Sequence, residues 1–411
     1  MIKIKLALLA SVALFGFTLP TSAQENSTNS SAEPSAAMKR YQDVWDNKNP
    51  YDNEFYSSFS YKEVKGLEME VGVSRRDASQ IMKVGDLYYV YYTKVVMKKP
   101  PVGYAKSDET TPANTWDLAD IFYATSKDTY TWKEQGLAVP RGPKGEFDDR
   151  SVFTPGVLEW EGKYYLYYQA IQAPYTQRSK NVIGMSWADS PAGPWHRHPE
   201  PVLTPGKSGV WKGTKPIRSL IEKEGGFDSL KVHDPYLLVF NGKIHLYYKA
   251  HPMGLGISSN MKLSYPDFSG GLATADSPFG PFTKHPQNPV LNSGHEVVLW
   301  PYKSGIAALV TANGPEKNTI QWSPDGVNFE IKAHIVLPPD AAGPYVPDAY
   351  TDTKNGQGIT WGISHIAQRK NQPYPHLMRF QTDLTGANKN KAFKRENIRF
   401  NKDALIQSDK R

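Results

Sequence analysis

Five acidic residues recur at one place in a repeating unit of the chain. They are Asp77 (in Arg-Arg-Asp-Ala), Asp149 (Phe-Asp-Asp-Arg-Ser), Asp234 (Val-His-Asp-Pro-Tyr), Glu296 (Gly-His-Glu-Val-Val) and Asp348 (Val-Pro-Asp-Ala-Tyr). Each stands just before or at the first strand of its unit. A single Asp in such a place usually does no more than make a turn. Five at matching places argue for carboxylates that converge on one pocket, where one can act as a base and another as an acid. A third can orient the acid or raise its pKa by like-charge repulsion. Asp149 and Asp348 can still be structural, because a small ligand cannot use five carboxylates.

Two histidines stand beside these acids, His233 before Asp234 and His295 before Glu296. The ordinary histidine pKa of about 6.5 suits proton transfer near neutral pH if a carboxylate keeps the ring protonated. Neighbours on a regular strand point to opposite faces, so His295 shares a pocket with Glu296 only from a loop or a bulge. Spacing alone leaves both histidines open between a structural, hydrogen-bonding role and a catalytic one. The same alternation lets only one of Arg75 and Arg76 face inward, where it would keep a neighbouring carboxylate ionised. Trp116, Trp160, Trp187, Trp211, Trp300 and Trp361 are candidate stacking platforms. Most read as core, and Trp116, in the insertion 95–120, is the strongest platform candidate. Metal ligation is weakly signalled: there is no His-x-x-x-His or Glu-x-x-His pair, and His196 and His198 fall in a repeated turn unit. No cofactor is required by the residues; a single divalent cation on carboxylates or waters at the centre is compatible with them. There is neither a Gly-rich phosphate loop after a strand nor a Gly-x-Ser-x-Gly elbow.

The repeat that positions these residues is clearest where Ala188-Asp-Ser-Pro-Ala-Gly-Pro-Trp returns as Ala275-Asp-Ser-Pro-Phe-Gly-Pro-Phe. Looser copies are Ser126–Trp132 and Ser323–Phe329. Ahead of each lies another strand: Leu87–Thr93, Lys163–Gln169, Lys243–Lys249 and Ile306–Thr311. The turns Val84-Gly-Asp86, Glu161-Gly-Lys163 and Asn241-Gly-Lys243 precede the first three. A fifth, degenerate unit begins near Asp348. Four strands per unit at a period of ~50–85 residues is a propeller signature. The expected fold is all-β, a five-bladed β-propeller, with the last blade completed by a strand from the other end of the chain. The innermost strands line the central channel, so equivalent positions face one another across the axis. Such a pocket suits inverting glycoside hydrolysis, which needs an acid and a base ~6.5–9.5 Å apart.

The 411 residues are 39% hydrophobic and 12% aromatic, with 24 Tyr, 32 Gly, 32 Pro and no Cys. That composition fits a turn-rich β protein and excludes disulfides and thiolate metal sites. Residues 1–23 read as a secretory signal peptide, residues 24–38 as a flexible linker, and residues 39–65 as a short helical segment. Tyr41, Val44 and Trp45 lie at helical spacing there. This segment is too short to bury its own apolar face and must dock on the main domain or on a second subunit. The propeller is placed at 66–385 and a basic tail at 386–411. Removing residues 1–23 takes the formal charge from +7 to +5, because Lys3 and Lys5 leave with no acid. The excess basic residues are read as solvated; no basic stripe interleaved with aromatics points to nucleic acid. The expected product is soluble, secreted to the periplasm or beyond, with no membrane span.

Arg75-Arg-Asp-Ala-Ser-Gln80, His233-Asp-Pro-Tyr236 and Gly294-His-Glu-Val-Val-Leu-Trp-Pro301 resemble glycoside hydrolase family 117, the α-1,3-L-neoagarooligosaccharide (neoagarobiose) hydrolases. Asn313-Gly-Pro-Glu316 and Asp325–Glu330 support the resemblance, which runs over roughly residues 36–385. It implies a five-bladed propeller that releases terminal 3,6-anhydro-L-galactose from neoagarooligosaccharides with inversion. It also implies Asp77 as general base, His295 as general acid, and Asp234 and Glu296 as supporting carboxylates. Arg76, Trp116, Arg150, Thr154, Gln169 and His233 are the candidate sugar-contacting residues. The N-terminal helical segment resembles the family's dimerisation element, which implies a homodimer. Two other readings compete. One is a different inverting propeller glycosidase, an α-L-arabinofuranosidase or β-xylosidase with Glu296 as the acid. The other is a non-catalytic carbohydrate-binding propeller.

Overall fold

The structure is a computed structural model that describes residues 54–176, 178–213, 221–254, 269–295, 297–366 and 374–386. The leader, the linker, residues 39–53 of the helical segment, Glu296 and nearly all of the basic tail lie outside the described residues. Every regular element among the described ones is a strand. No helix there is long and apolar enough to cross a membrane.

The strands form the five-bladed β-propeller, each blade counted outward from the axis. Blade 1 runs Val73–Arg76, Leu87–Val96, Asp120–Ser126 and Trp132–Val139, with Met82–Val84 continuing its inner edge. Blade 2 is Ser151–Trp160, Lys163–Ile171, Val182–Ala188 and His196–Arg197. Blade 3 is Lys231–Phe240, Lys243–His251, Ser269–Ala275 and Thr283–Lys284. Blade 4 is Val297–Lys303, Gly305–Val310, Thr319–Ser323 and Glu330–His334, with Gly356–Gln357 on its inner side. Blade 5 is Gly343–Pro344, Ile359–His365, Leu377–Leu384 and, outermost, Ser60–Glu63.

That outermost strand closes the ring. Ser60 pairs with Gln381 and Glu63 with Met378 in antiparallel register, so a strand from before blade 1 covers the edge of blade 5. The helical expectation for 39–65 is therefore corrected at its end. Residues 60–63 are strand, because the exposed edge of Leu377–Leu384 offers a ladder that a short isolated helix cannot match.

The hairpin turns are those the sequence signals. Glu161-Gly162 and Asn241-Gly242 each place two successive residues at positive φ (51° and 75°; 52° and 72°), the geometry of a tight two-residue hairpin. Buried tyrosines of the second strands stitch each blade to the next. The Tyr91 hydroxyl donates to the Pro191 carbonyl (2.5 Å), Tyr167 to Pro278 (2.6 Å) and Tyr247 to Gly326 (2.7 Å). Each acceptor lies in the turn between the outer strands of the following blade, so the repeated Ser-Pro turns are docking points as well as reversals. On the axis, the Tyr350 side chain packs against the cores of three blade interfaces, and its hydroxyl donates to the Val157 carbonyl (2.7 Å).

Candidate active site

One short irregularity repeats on the inner strands. In blade 2 the pairing shifts register between Phe153 and Gly156, and Thr154 takes φ 48°. In blade 3 it shifts between His233 and Tyr236, and Asp234 takes φ 50°. Asp77 follows blade 1's first strand at φ 52°, and Ala341 precedes blade 5's inner strand at φ 42°. A bulge of this kind re-aims a side chain out of the strand's alternation. It is costly for a β-branched residue such as Thr154. The bulges meet at the axis. A partly open cavity is lined by Asp77–Gln80, Thr154 and Pro155, Asp234–Tyr236, Val297, and Ala341 and Ala342, so every blade contributes. At its wall the Gln80 amide joins blades 2 and 3: Nε2 donates to the Leu237 carbonyl (3.0 Å) and Oε1 accepts from Val157 N–H (3.3 Å).

Two buried carboxylates face this cavity with matching support. Arg76 Nε donates to both oxygens of Asp77 (3.0 and 2.9 Å), and its Nη1 donates to Thr115 Oγ1 (3.0 Å). Thr93 Oγ1 donates to Asp77 Oδ2 (3.2 Å), and Thr154 Oγ1 stands 3.4 Å from the same oxygen. The Asp77 N–H donates to His365 Nδ1 (3.2 Å), which puts that ring's proton on Nε2. Asp234 is ion-paired with the buried Lys249 ammonium, and its Oδ1 lies 3.3 Å from His233 Nδ1.

Burial by itself would raise both carboxyls, but the cations overrule it, and both lie below the usual carboxylate range. His365 and His233 are held by burial at about 3, so both rings are neutral at pH 7. Arg76 and Lys249 are therefore the operative cations for Asp77 and Asp234. The two sites also sense each other, because the Asp234 charge pushes Asp77 upward.

His295 stands at the edge of the same field. Lys249 first, and burial second, depress its imidazole to about 3; Arg76 adds to this, while Asp234 and Asp77 oppose it. Its Nδ1 lies 3.0 Å from Asn313 Nδ2. The arrangement offers an ionised base, a second ionised carboxylate and a ring that is neutral at neutral pH. That is acid–base equipment gathered at the axis of the propeller. Among the described residues, no three His, Asp or Glu side chains converge as a metal cage requires.

Comparison with known proteins follows the geometry. The profile described as Glycosyl hydrolases family 43 matches residues 71–212. The solved structure of Zg3597, a family 117 glycoside hydrolase from the marine bacterium Zobellia galactanivorans, is 39% identical. The match covers 87% of this chain and 100% of that one, with a TM-score of 0.74. The chain belongs to glycoside hydrolase family 117. CoXyl43, a family 43 β-xylosidase/α-arabinofuranosidase from a compost microbial metagenome, is 15% identical over 79% of this chain and 94% of that one, at TM-score 0.50. A third structure, described as a glycoside hydrolase, is 13% identical over 86% of this chain and 96% of its own, at TM-score 0.52. The last two share the fold. No curated protein matches.

The family 117 chain brings together some of the residues expected from its sequence and separates others. Asp77, Asp234 and Thr154 line the cavity. Arg76 is the inward arginine, stacked 4.6 Å from the centre of the Trp116 ring, whereas Arg75 turns away to Glu70 and Glu134. The Trp116 ring is thus covered on one side by a guanidinium, and its Nε1–H donates to the Tyr175 hydroxyl (3.2 Å). Gln169 is buried opposite Phe153, one residue before the Thr154 bulge. His233 is buried behind Asp234 with its ring against His251, so it supports a carboxylate and does not line the cavity.

Arg150, Asp149 and Asp348 lie away from the cavity lining. The Arg150 guanidinium is engaged within the protein: its Nε (2.7 Å) and Nη2 (2.5 Å) hold Asp117 and its Nη1 holds the Asp108 carbonyl (2.6 Å), which anchors the 95–120 insertion. Asp149 accepts from the N–H groups of Gly145 (2.8 Å) and Ala173 (2.7 Å) in a loop. Asp348 accepts from Gln357 N–H (2.9 Å). The residues at the true bulge positions of those blades are Thr154 and Ala341.

Lys249, His365 and Thr93 contact Asp234 or Asp77, and Asn313 contacts His295; sequence reasoning gives none of the four a role. A signal for three of the five second-strand positions does exist. Tyr91-Tyr-Thr93, Tyr167-Tyr-Gln169 and Tyr247-Tyr-Lys249 are one motif, each ending in a polar residue opposite the position before a bulge.

Proposed function

We propose that this protein is an exo-acting, inverting hydrolase that cleaves the terminal α-1,3 bond of neoagarooligosaccharides and releases 3,6-anhydro-L-galactose. The observation that carries the reading is the pair Asp77 and Asp234, both ionised, on equivalent bulges of one axial cavity, in a chain of family 117. Asp77 takes a proton from the attacking water as its oxygen bonds to the anomeric carbon. The C–O bond to the leaving sugar breaks, and its oxygen takes the proton of the acid. Asp234, kept ionised by Lys249, is the supporting carboxylate of the pocket. Arg76 and Trp116 form the rim against which the sugar stacks.

His295 is the acid in this reading. In the unliganded pocket its ring is neutral near pH 7, so it must gain its proton in the complex. A second reading is favoured by that same depression: Glu296 donates the proton, and neutral His295 hydrogen-bonds to the sugar. Turnover of neoagarobiose by His295→Ala and Glu296→Gln separates the two. Loss of ~10²-fold or more is expected in His295→Ala. Near-normal turnover there, with loss in Glu296→Gln, selects the second reading.

A further inference from the structure

The turn that follows blade 4's second strand is fastened to the His295 segment at every backbone and side-chain opportunity. Gly294 N–H donates to the Asn313 carbonyl (2.8 Å) and His295 N–H to the Thr311 carbonyl (2.9 Å). Glu316 N–H donates to Ser293 Oγ (2.9 Å). Asn313 N–H also donates to the Thr311 carbonyl (2.8 Å), which closes a three-residue turn with Ala312 at φ 62°. A γ-turn of this hand is strained. Strain of this kind persists where the surroundings hold it, and it clusters at functional sites. Gly314 follows at φ 90°, where a Cβ would sit 2.4 Å from Ser293 Oγ and 2.8 Å from Ser293 Cα. The turn is therefore pressed directly onto the segment that carries His295.

This turn sends the Asn313 side chain to the ring, with Nδ2 3.0 Å from His295 Nδ1. We propose that Asn313 is a positioning residue for His295: its amide occupies Nδ1 in both protonation states of the ring and so keeps Nε2 as the nitrogen that carries the transferable proton. The inference rests on the reading of His295 as the acid. A primary amide suits the task because it is donor and acceptor at once. In the neutral ring, Nδ2–H donates to the Nδ1 lone pair. When the ring becomes imidazolium, a half-turn about Cβ–Cγ presents Oδ1 to Nδ1–H. During bond cleavage the Nε2 proton passes to the leaving oxygen and leaves a neutral ring with its proton on Nδ1, which Oδ1 still accepts; Nε2 then takes a proton from solvent, and when Nδ1 gives its own up to solvent the amide turns back. An aspartate could serve only the charged ring and an alanine neither. The charged groups that act on the ring are Lys249 and Arg76, which oppose its protonation, and Asp234 and Asp77, which favour it.

The test uses the full-length protein with 15N-labelled histidine and two substrates of the same glycone: neoagarobiose, and an aryl glycoside whose phenol leaves without protonation. Wild type is expected to show a neutral ring at pH 7 with the proton on Nε2. Asn313→Ala should mix the tautomers and lower kcat on neoagarobiose ~10-fold or more, with KM little changed and a much smaller loss on the aryl glycoside. Asn313→Asp, nearly the same size, should move the basic limb of kcat upward by about one pH unit or more. Equal losses of Asn313→Ala on both substrates, or an unmoved limb in folded Asn313→Asp, overturn the proposal. His295→Ala in the same pair of assays separates the two claims. If it loses equally on both substrates, His295 is not the acid. If it spares the aryl glycoside while Asn313→Ala does not, only the positioning role fails.

Discussion

Asp77 and Asp234 occupy the same left-handed bulge, φ 52° and 50°, in the first and third blades, each with one cation on its carboxylate and one imidazole Nδ1 beside it: His365 Nδ1 accepts from the Asp77 N–H, and His233 Nδ1 lies 3.3 Å from Asp234 Oδ1. The support is traded between neighbours. Asp77 takes its cation from the preceding residue, Arg76, and its histidine, His365, from the adjoining blade. Asp234 takes its histidine from the preceding residue and its cation, Lys249, from the next strand of its own blade. Both acids are thus ionised while buried, and Asp77 alone is within reach of the Thr93 and Thr154 hydroxyls. In the proposed mechanism Asp77 is the base.

Asp77→Asn should lower kcat on neoagarobiose by ~10²-fold or more, because the amide cannot take the water's proton. Asp234→Asn should lower kcat as well, but its pH profile should keep the acidic limb that Asp77 sets. Steady-state kinetics across pH decide it; loss of that limb in Asp234→Asn would reverse the assignment.

Lys249→Met removes the partner of a buried carboxylate. Breaking such a pair costs about 3–5 kcal/mol while the remaining charge stays ionised. Denaturant unfolding at pH 7 should show a loss of that order. The deficit should shrink at lower pH, where the unpaired Asp234 takes up a proton. An equal deficit at pH 7 and pH 4.5 would contradict the pairing.

Acid should destabilise the fold in two stages. His233, His295 and His365 are held at about 3, and His245 at about 4, against an ordinary 6.5. The unfolded chain therefore binds more protons than the folded one as pH falls below 6.5, and stability declines through that window. Asp77 and Asp234 are depressed. Their stabilisation is present above the ordinary carboxylate range and is lost only as pH falls through their lowered values. Thermal unfolding should give a Tm that drops steadily from pH 6.5 toward 4 and steeply below it. A flat Tm between pH 7 and 4.5 would mean that the buried histidines do not titrate this way.

Gly156 tests how tightly the bulges are packed. A Cβ there would lie 2.4 Å from the Pro235 carbonyl oxygen of the next blade. Gly156→Ala must push two inner strands apart, which should cost about 1–3 kcal/mol and raise KM, because the cavity wall moves. Unchanged stability and KM would show that the blades yield there freely.

Much of this is legible in the sequence, and the misses have a common cause. The repeat, the hairpin turns and the closing strand follow from turn chemistry and aromatic alternation. Asp77 and Asp234 stand out because an acid is visible and, at those two places, is also the bulge residue. Asp149 and Asp348 mislead because a carboxylate near a strand start looks the same whether it caps a loop or occupies the bulge. The backbone signal that distinguishes them, a positive φ, has no signature when the residue is Thr154 or Ala341. Lys249 and His365 lie in runs that read as buried strand core. Only comparison of Tyr-Tyr-Thr, Tyr-Tyr-Gln and Tyr-Tyr-Lys across blades shows that the third position is a site position.

The most direct test is incubation of the purified wild-type protein with neoagarobiose, followed by 1H NMR from the first minutes. The expected result is release of 3,6-anhydro-L-galactose and galactose, with the newly formed anomer inverted before mutarotation. No release, with cleavage of an aryl α-L-arabinofuranoside or β-xyloside under the same conditions, would contradict the account.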